Sequence, residues 1–209
     1  MAEAAQKLMT IEEFFAWEET QEERHELVDG VPVLRGEWIR YGDQWTMMSG
    51  ASQRHDQIVV NLITALRTKL RGRTCRAFSP DMSVRTSSRR VRRPDSGVDC
   101  GPRRDRSTEA SEPKVVIEVL SPSTRDFDMF AKLDEYRSVD AIDHVLLIDP
   151  NDPEAQLWSR GPDGWSEMTM RGLDATAELS AVGLSLPLAE VYEDVAFPAR
   201  PEDAPAVSG

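Results

Sequence analysis

The chain has 209 residues, 40% hydrophobic and 30% charged, with a formal net charge of −12. That length suits one large domain with a proper core and the composition does not suggest disorder, while the acidic balance argues against broad coating of nucleic acid without excluding a local basic surface. Two cysteines, Cys75 and Cys100, lack zinc-type spacing and make no dense disulfide framework, so a reducing compartment is the simpler reading.

Met1-Ala2-Glu3-Ala4-Ala5 has neither a basic nor an apolar region of a secretory signal, and no stretch approaches the roughly 18 apolar residues of a membrane span. A cytoplasmic protein without a membrane anchor is expected. Thr10-Ile11-Glu12-Glu13 fits a capping box for a helix with an apolar side at Ile11, Phe14, Phe15 and Trp17, ending near Thr20. Asp29-Gly30 between His25–Val28 and Val31–Val33 predicts a tight β-hairpin, and Trp38 to Met48 reads as a further strand.

Residues 54–70 carry the clearest helical pattern, with Ile58, Leu62, Leu66 and Leu70 in one row and Gly72 as the stop. Strands are expected at 73–78, 81–86 and 91–99, followed by a polar loop over 101–113. The near-continuous apolar run at 114–120 predicts a central strand covered on both faces. Ser121-Pro122-Ser123-Thr124 breaks it and caps a helix over 124–138. A second buried strand is expected at 144–149, a hairpin at 155–160 and 164–170, and a short helix from Pro187. From residue 197 the proline- and alanine-rich tail reads as disordered, which leaves one domain over 1–196. The order implies an α/β arrangement, an α+β mixed sheet flanked by helices, with β-α-β connectivity from 114 to 149.

The chemistry concentrates in two acids and a lysine. Asp95 follows Arg92-Arg93-Pro94, and Glu118 stands inside Val115-Val116-Ile117-Glu118-Val119-Leu120. A carboxylate in a buried strand demands a partner, and a metal ion is one that both acids could share. Hard cations such as Mg²⁺ or Mn²⁺ prefer oxygen donors, supply charge stabilisation and activate water for phosphodiester hydrolysis. The Val119 carbonyl is a candidate additional ligand. Lys132, on the following helix, would stabilise phosphate charge or orient the water, and Asp128 and Tyr136, four residues to either side on the same helical face, are candidates to position it. Read singly, Asp95 is a turn residue, Lys132 a solvated helix residue, and His25 and His144 are structural.

At this point the sequence resembles the Uma2 family (DUF820), bacterial proteins with a restriction-endonuclease-like PD-(D/E)XK core. The matching pieces run in order: Thr10 to Phe14; His25-Glu26-Leu27-Val28-Asp29-Gly30; His55; Arg93-Pro94-Asp95; Val116 to Thr124; Asp128, Lys132 and Tyr136; and His144 to Pro150. The resemblance implies a Mg²⁺- or Mn²⁺-dependent endonuclease acting on DNA. It implies metal ligation by Asp95, Glu118 and Glu26, catalytic service from Lys132, and His55 associated with the site. Leu120 occupies the place of the usual lysine two residues after the second acid, and Lys132 is its replacement. The segment between Gly36 and Ser52 departs from the family pattern, as does His25, where a tyrosine is usual.

Arg85, Arg89, Arg90, Arg92 and Arg93 precede Asp95, and Arg103, Arg104 and Arg106 follow it. Arg90, Arg92 and Arg93 are candidates for gripping nucleic-acid phosphates; the alternative is a solvated hairpin paired with surface acids. A homodimer is expected, with the 38–48 stretch contributing. Two other readings compete with the endonuclease: a non-catalytic nucleic-acid or protein binding module on the same fold, and a phosphoesterase for a smaller substrate. Salt-dependent DNA binding separates the DNA readings from the last of these.

Overall fold

A computed structural model describes residues 8–34, 38–41, 44–47, 52–120 and 127–197. The chain opens with helix α1 (Ile11–Glu18), whose Thr10 side chain accepts the Glu13 N–H while the Glu13 carboxylate accepts the Thr10 N–H. Strands β1 (His25–Val28) and β2 (Val31–Leu34) follow as a two-residue hairpin. Asp29 and Gly30 both take positive φ, 50° and 86°, the mirror-image turn that matches the twist of paired strands. Strands β3 (Trp38–Tyr41) and β4 (Gln44–Met47) form a second antiparallel hairpin where one strand is expected.

Helix α2 (Gln53–Lys69) buries Ile58, Val59, Leu62 and Leu66, the row read from the sequence. Strands β5 (Arg76–Phe78), β6 (Val84–Ser87), β7 (Arg90–Arg92) and β8 (Ser96–Asp99) come next. The single strand expected over 91–99 is thus divided. β7 belongs to a four-stranded sheet ordered β2-β1-β7-β6, and β8 to a six-stranded one. Pro94 sits at the break, where a residue without an N–H cannot extend a ladder.

Strand β9 (Pro113–Val119), helix α3 (Phe127–Arg137) and strand β10 (His144–Ile148) form the β-α-β unit, with β9 and β10 parallel from His144↔Val115 to Ile148↔Val119. The expected cap at Ser121–Thr124 lies outside the described residues, as does the tail from residue 198. β11 (Glu154–Gly161) and β12 (Gly164–Arg171) are the expected hairpin. The six-stranded sheet then reads β12-β11-β10-β9-β8-β5 and is mixed, because β8 runs antiparallel to β9. A further hairpin, β13 (Thr176–Leu179) with β14 (Leu184–Pro187), was not anticipated, and Pro187 ends β14 and caps α4 (Leu188–Val191) instead of opening the helix.

Both faces of the central strands are covered. Val115, Ile117 and Val119 pack with Leu146, Ile148 and α2 in one core, while Val116 packs with Val145, Leu147, Leu133 and Tyr136 in another. Alternation along β9 therefore turns Glu118 toward the α3 side.

Cys75 and Cys100 are joined by a disulfide. The reading of a reducing compartment did not anticipate this bond. Its origin is register: Arg76 pairs with Asp99, which sets residues 75 and 100 opposite each other. Among the described residues no helix is long and apolar enough to cross a membrane.

Candidate active site

Asp95 lies one residue before β8 and is 3% exposed. β8 pairs with β9 only as far as Ser96↔Ile117, so the Val119 N–H extends beyond that ladder. It donates instead to Asp95 Oδ2 at 2.9 Å. The same oxygen stands 3.2 Å from His55 Nε2. His55 is held in the first turn of α2, where its N–H donates to the Ser52 cap. That turn also presents the positive end of a helix dipole, which favours a neighbouring carboxylate.

Glu118 is buried, and the Tyr136 hydroxyl donates to its Oε1 at 2.6 Å. Burial pushes the Glu118 carboxyl up to about 7; the Lys132 charge opposes this, the Asp95 charge adds to it, the Tyr136 hydrogen bond opposes it and Glu26 adds to it. Tyr136 is in direct contact with this carboxylate, and the charges of Asp95, Lys132 and Glu26 act on it. Burial, then the Glu118 charge, raises the Tyr136 phenol well above its ordinary range, so Tyr136 stays a donor. Its partner is Glu118, whereas the sequence suggested that Tyr136 positions Lys132. The Asp128 side chain, its companion in that expectation, lies outside the described residues.

Successive residues of α3 tie the two sheets together. Tyr136 reaches Glu118 on the six-stranded sheet, while Glu135 accepts both Arg92 Nε at 2.7 Å and Arg92 Nη2 at 2.6 Å from the four-stranded one. Thr86 and Arg90 also donate to Glu135. Lys132 lies four residues before Tyr136 on the same helix, on the face these contacts orient.

Glu26 is fully buried on β1. Its Oε2 accepts from Arg92 Nη1 at 3.1 Å and its Oε1 from the Arg93 N–H at 2.9 Å. Both oxygens face protein donors, an arrangement that suits bracing of the site more than metal ligation. Arg93 donates through Nη2 to both oxygens of Glu18 and through Nε to the His25 carbonyl.

The arginine expectation is corrected here. Arg92 and Arg93 are 0% exposed and satisfied by Glu135, Glu26 and Glu18, so they cannot lie against a nucleic-acid backbone. Arg90 is partly exposed but bound to both Asp29 oxygens and to Glu135. The solvated-hairpin alternative describes Arg85, paired with Glu12 and Glu109, and in part Arg90, paired with Asp29, whereas Arg92 and Arg93 belong to a buried charge lattice. Glu18 and Glu135 were missed by sequence reasoning, and nothing in their spacing distinguishes them from surface acids. His144 is structural as expected, with Nε2 accepting the Ala181 N–H and Nδ1 facing Ser159 Oγ.

Residues 11–189 match the Uma2 family, described as "Putative restriction endonuclease". This chain belongs to the Uma2 family. It is 32% identical to the uncharacterized protein slr1290 of Synechocystis sp. over 189 residues, 89% of this chain and 92% of that one. The uncharacterized protein sll1609 of the same organism is 27% identical over 187 residues, covering 86% and 97%. A crystal structure of a DUF820 putative nuclease from Anabaena variabilis superposes with a TM-score of 0.64 at 17% identity, covering 88% of this chain and 97% of that one. At that identity the likeness speaks for the fold, which is restriction-endonuclease-like with mixed sheets flanked by helices. Family membership supports a nuclease-like function for this Uma2 chain.

Among the described residues no group of three or more His, Cys, Asp or Glu side chains is arranged to hold a metal. Mg²⁺, however, commonly takes only one or two carboxylates and fills its remaining positions with water and substrate phosphate. Two buried carboxylates, one pushed to about 7 partly by the other, fit that pattern.

Proposed function

We propose that this protein is a Mg²⁺- or Mn²⁺-dependent endodeoxyribonuclease. The observation that carries the reading is the approach of two buried acids, Asp95 and Glu118, with Lys132 acting on Glu118 in a chain of the Uma2 family. Asp95 and Glu118 would hold the cation, and the Val119 carbonyl is available to join them. When bound, the metal would supply Lewis-acid stabilisation of the phosphodiester and a lowered pKa for the attacking water.

The chain's own residues do the rest. His55 and the Val119 N–H hold Asp95 in one orientation. Tyr136 holds Glu118 Oε1 and, by donating to the charged form, favours the carboxylate over the acid. Lys132 contributes positive charge for the phosphate or orients the water. Glu26 braces Arg92 and the Arg93 backbone behind this group, and we assign it support instead of ligation. A homodimer acting on both strands of a duplex is part of the same reading, and light scattering tests it.

One observation favours the smaller-substrate phosphoesterase as the second reading. Arg92 and Arg93 beside Asp95 are spent on internal carboxylates, which leaves less basic surface next to the acids than duplex DNA would use.

The test is cleavage of supercoiled plasmid, single-stranded DNA and a small phosphodiester with Mg²⁺, Mn²⁺ or EDTA, beside Asp95→Asn and Glu118→Gln proteins. Metal-dependent DNA cutting lost in both variants supports the nuclease. Turnover of the small ester alone selects the second reading. Metal binding absent from the wild type overturns both.

A further inference from the structure

Outside the carboxylate site, the described surface has a cleft of about 720 Å³ alongside β5, the edge strand of the six-stranded sheet. The C-terminal turn of α2 and the 101–111 loop form its other walls. Its lining includes Arg67, Arg71, Arg73, Arg76, Arg103 and Arg104. Three carboxylates, Asp99, Asp105 and Glu109, also line it, and each is already paired: Asp99 with Arg76, Asp105 with Arg103, and Glu109 with Arg85.

Among the described residues the remaining guanidinium groups of the lining have no acid paired with them. Arg73 is fixed through Nη1 on the Val182 and Gly183 carbonyls, which orient it and leave its charge uncompensated. Arg67, Arg71 and Arg104 are exposed and form no ion pair among the described residues. Four cations without a paired acid thus line one cleft of a chain with net charge −12. The buried Arg92 and Arg93, by contrast, are matched with acids.

The arginine end of the cleft stands apart from Asp95, although its lining continues along β5 to Phe78, which pairs with Gly97. Asp99 closes β8 at the end away from Asp95, roughly 13 Å along the strand at the usual rise. The ligand chemistry follows from the wall: planar guanidinium forks match the paired oxygens of phosphate, and several together match a polyphosphate or a run of backbone phosphates. The volume lies within the range of ligand clefts.

We infer that this arginine-lined cleft is a second binding site, remote from Asp95 and Glu118, for phosphate groups carried by a nucleic-acid backbone or a free nucleotide. It does not depend on the nuclease reading. The two sources share their phosphate chemistry and differ in length and salt response. A backbone would extend beyond the cleft and release counterions along its track, whereas a nucleotide would be contained within it.

The experiment measures binding by the full chain in EDTA, which removes metal chemistry from the readout. The probes are a labelled duplex of about 20 base pairs, its single strand, ATP and pyrophosphate, each titrated at several salt concentrations. Binding is read without metal and the substituted arginines lie outside the Asp95–Glu118 group, so failure of the nuclease reading leaves this result standing. The charge-reversed protein Arg67→Glu/Arg71→Glu/Arg104→Glu should lose about tenfold or more in affinity, and on DNA its log–log salt slope should fall by about two to three. Arg71→Ala/Arg104→Ala, a milder change on exposed side chains, should lose about threefold. Binding confined to DNA identifies the backbone as the source, and binding of ATP and pyrophosphate identifies the free nucleotide. No binding of any probe by the wild type, or binding by the reversed protein within about twofold of wild type, overturns the inference.

Discussion

The Tyr136 hydroxyl donates to Glu118 Oε1 at 2.6 Å, in a place where both groups are buried. Helix α3 thereby controls the charge of a strand-borne acid. Replacing Tyr136 by Phe removes a donor that favours the carboxylate, so the Glu118 carboxyl should rise further above about 7. The pH at which Mn²⁺ binding is half complete should move upward, as read by calorimetry across a pH series. The same substitution should cost about 1–2 kcal/mol in urea denaturation. An unchanged pH midpoint would remove Tyr136 from the control of Glu118.

Glu118 also links stability to pH. Its ordinary value is 4.5 and its folded value about 7, so the folded state holds the extra proton between them. The stability this group contributes is present below pH about 4.5 and is lost as pH rises through about 7. The difference corresponds to roughly 3 kcal/mol at most. Glu118→Gln should therefore be more stable than the metal-free wild type at pH 8, with the gap closing toward pH 5. Mn²⁺ should raise the wild-type Tm more at pH 8 than at pH 5.5, because the proton and the cation compete for one carboxylate. Thermal melts of both proteins at the two pH values provide the check.

His55 stands 3.2 Å from Asp95, a proposed metal ligand, so its effect should pass through metal affinity. His55→Ala should weaken Mn²⁺ binding by about 10- to 100-fold, the usual effect of losing a partner behind a ligand. His55→Gln, which retains a polar tip, should recover part of it. Calorimetric titration distinguishes this from a purely structural role, in which melting temperature falls and metal affinity holds.

The Glu18–Arg93 pair is buried and joined through both carboxylate oxygens. Removing one partner leaves an uncompensated buried charge, so Glu18→Ala should destabilise by about 3–5 kcal/mol. Glu18→Ala combined with Arg93→Met should lose less than the sum of the single variants. Denaturation of the full double-mutant cycle measures the coupling, and additive losses would contradict the buried pair.

Gly97 stands two residues after Asp95 on β8, where an added Cβ would lie 2.3 Å from Phe78 Cζ and 2.4 Å from the Val115 carbonyl oxygen. The ring can shift, but the carbonyl belongs to the central ladder and cannot. Gly97→Ala should cost about 1–3 kcal/mol or more and loosen Asp95 against Val119. Urea denaturation and Mn²⁺ titration of the same protein test both effects.

Much of this protein is legible in the residue order because the relevant physics is local. The Asp29-Gly30 turn, the Thr10 capping box, the apolar row of α2 and the twice-covered strand at 114–120 follow from backbone preference and periodicity. The acid in that strand marks a candidate site because a carboxylate in an apolar strand requires a partner, while the aspartate after Pro94 and the lysine of the next helix join it through the resemblance to the Uma2 family. Partner choice was not legible. Arg92 and Arg93 read as surface cations, yet they are consumed by Glu135, Glu26 and Glu18 from three distant segments. Tyr136 turns to Glu118, Cys75 meets Cys100, and the arginines of α2 join those of the 101–111 loop, only once the strands have registered. Sequence determined most of the elements, though not the β3–β4 and β13–β14 hairpins or the break at Pro94, and the residue types that carry the chemistry. Tertiary structure alone decided which charges neutralise one another and which face an open cleft, because Coulombic and hydrogen-bond partners are selected by distance in space.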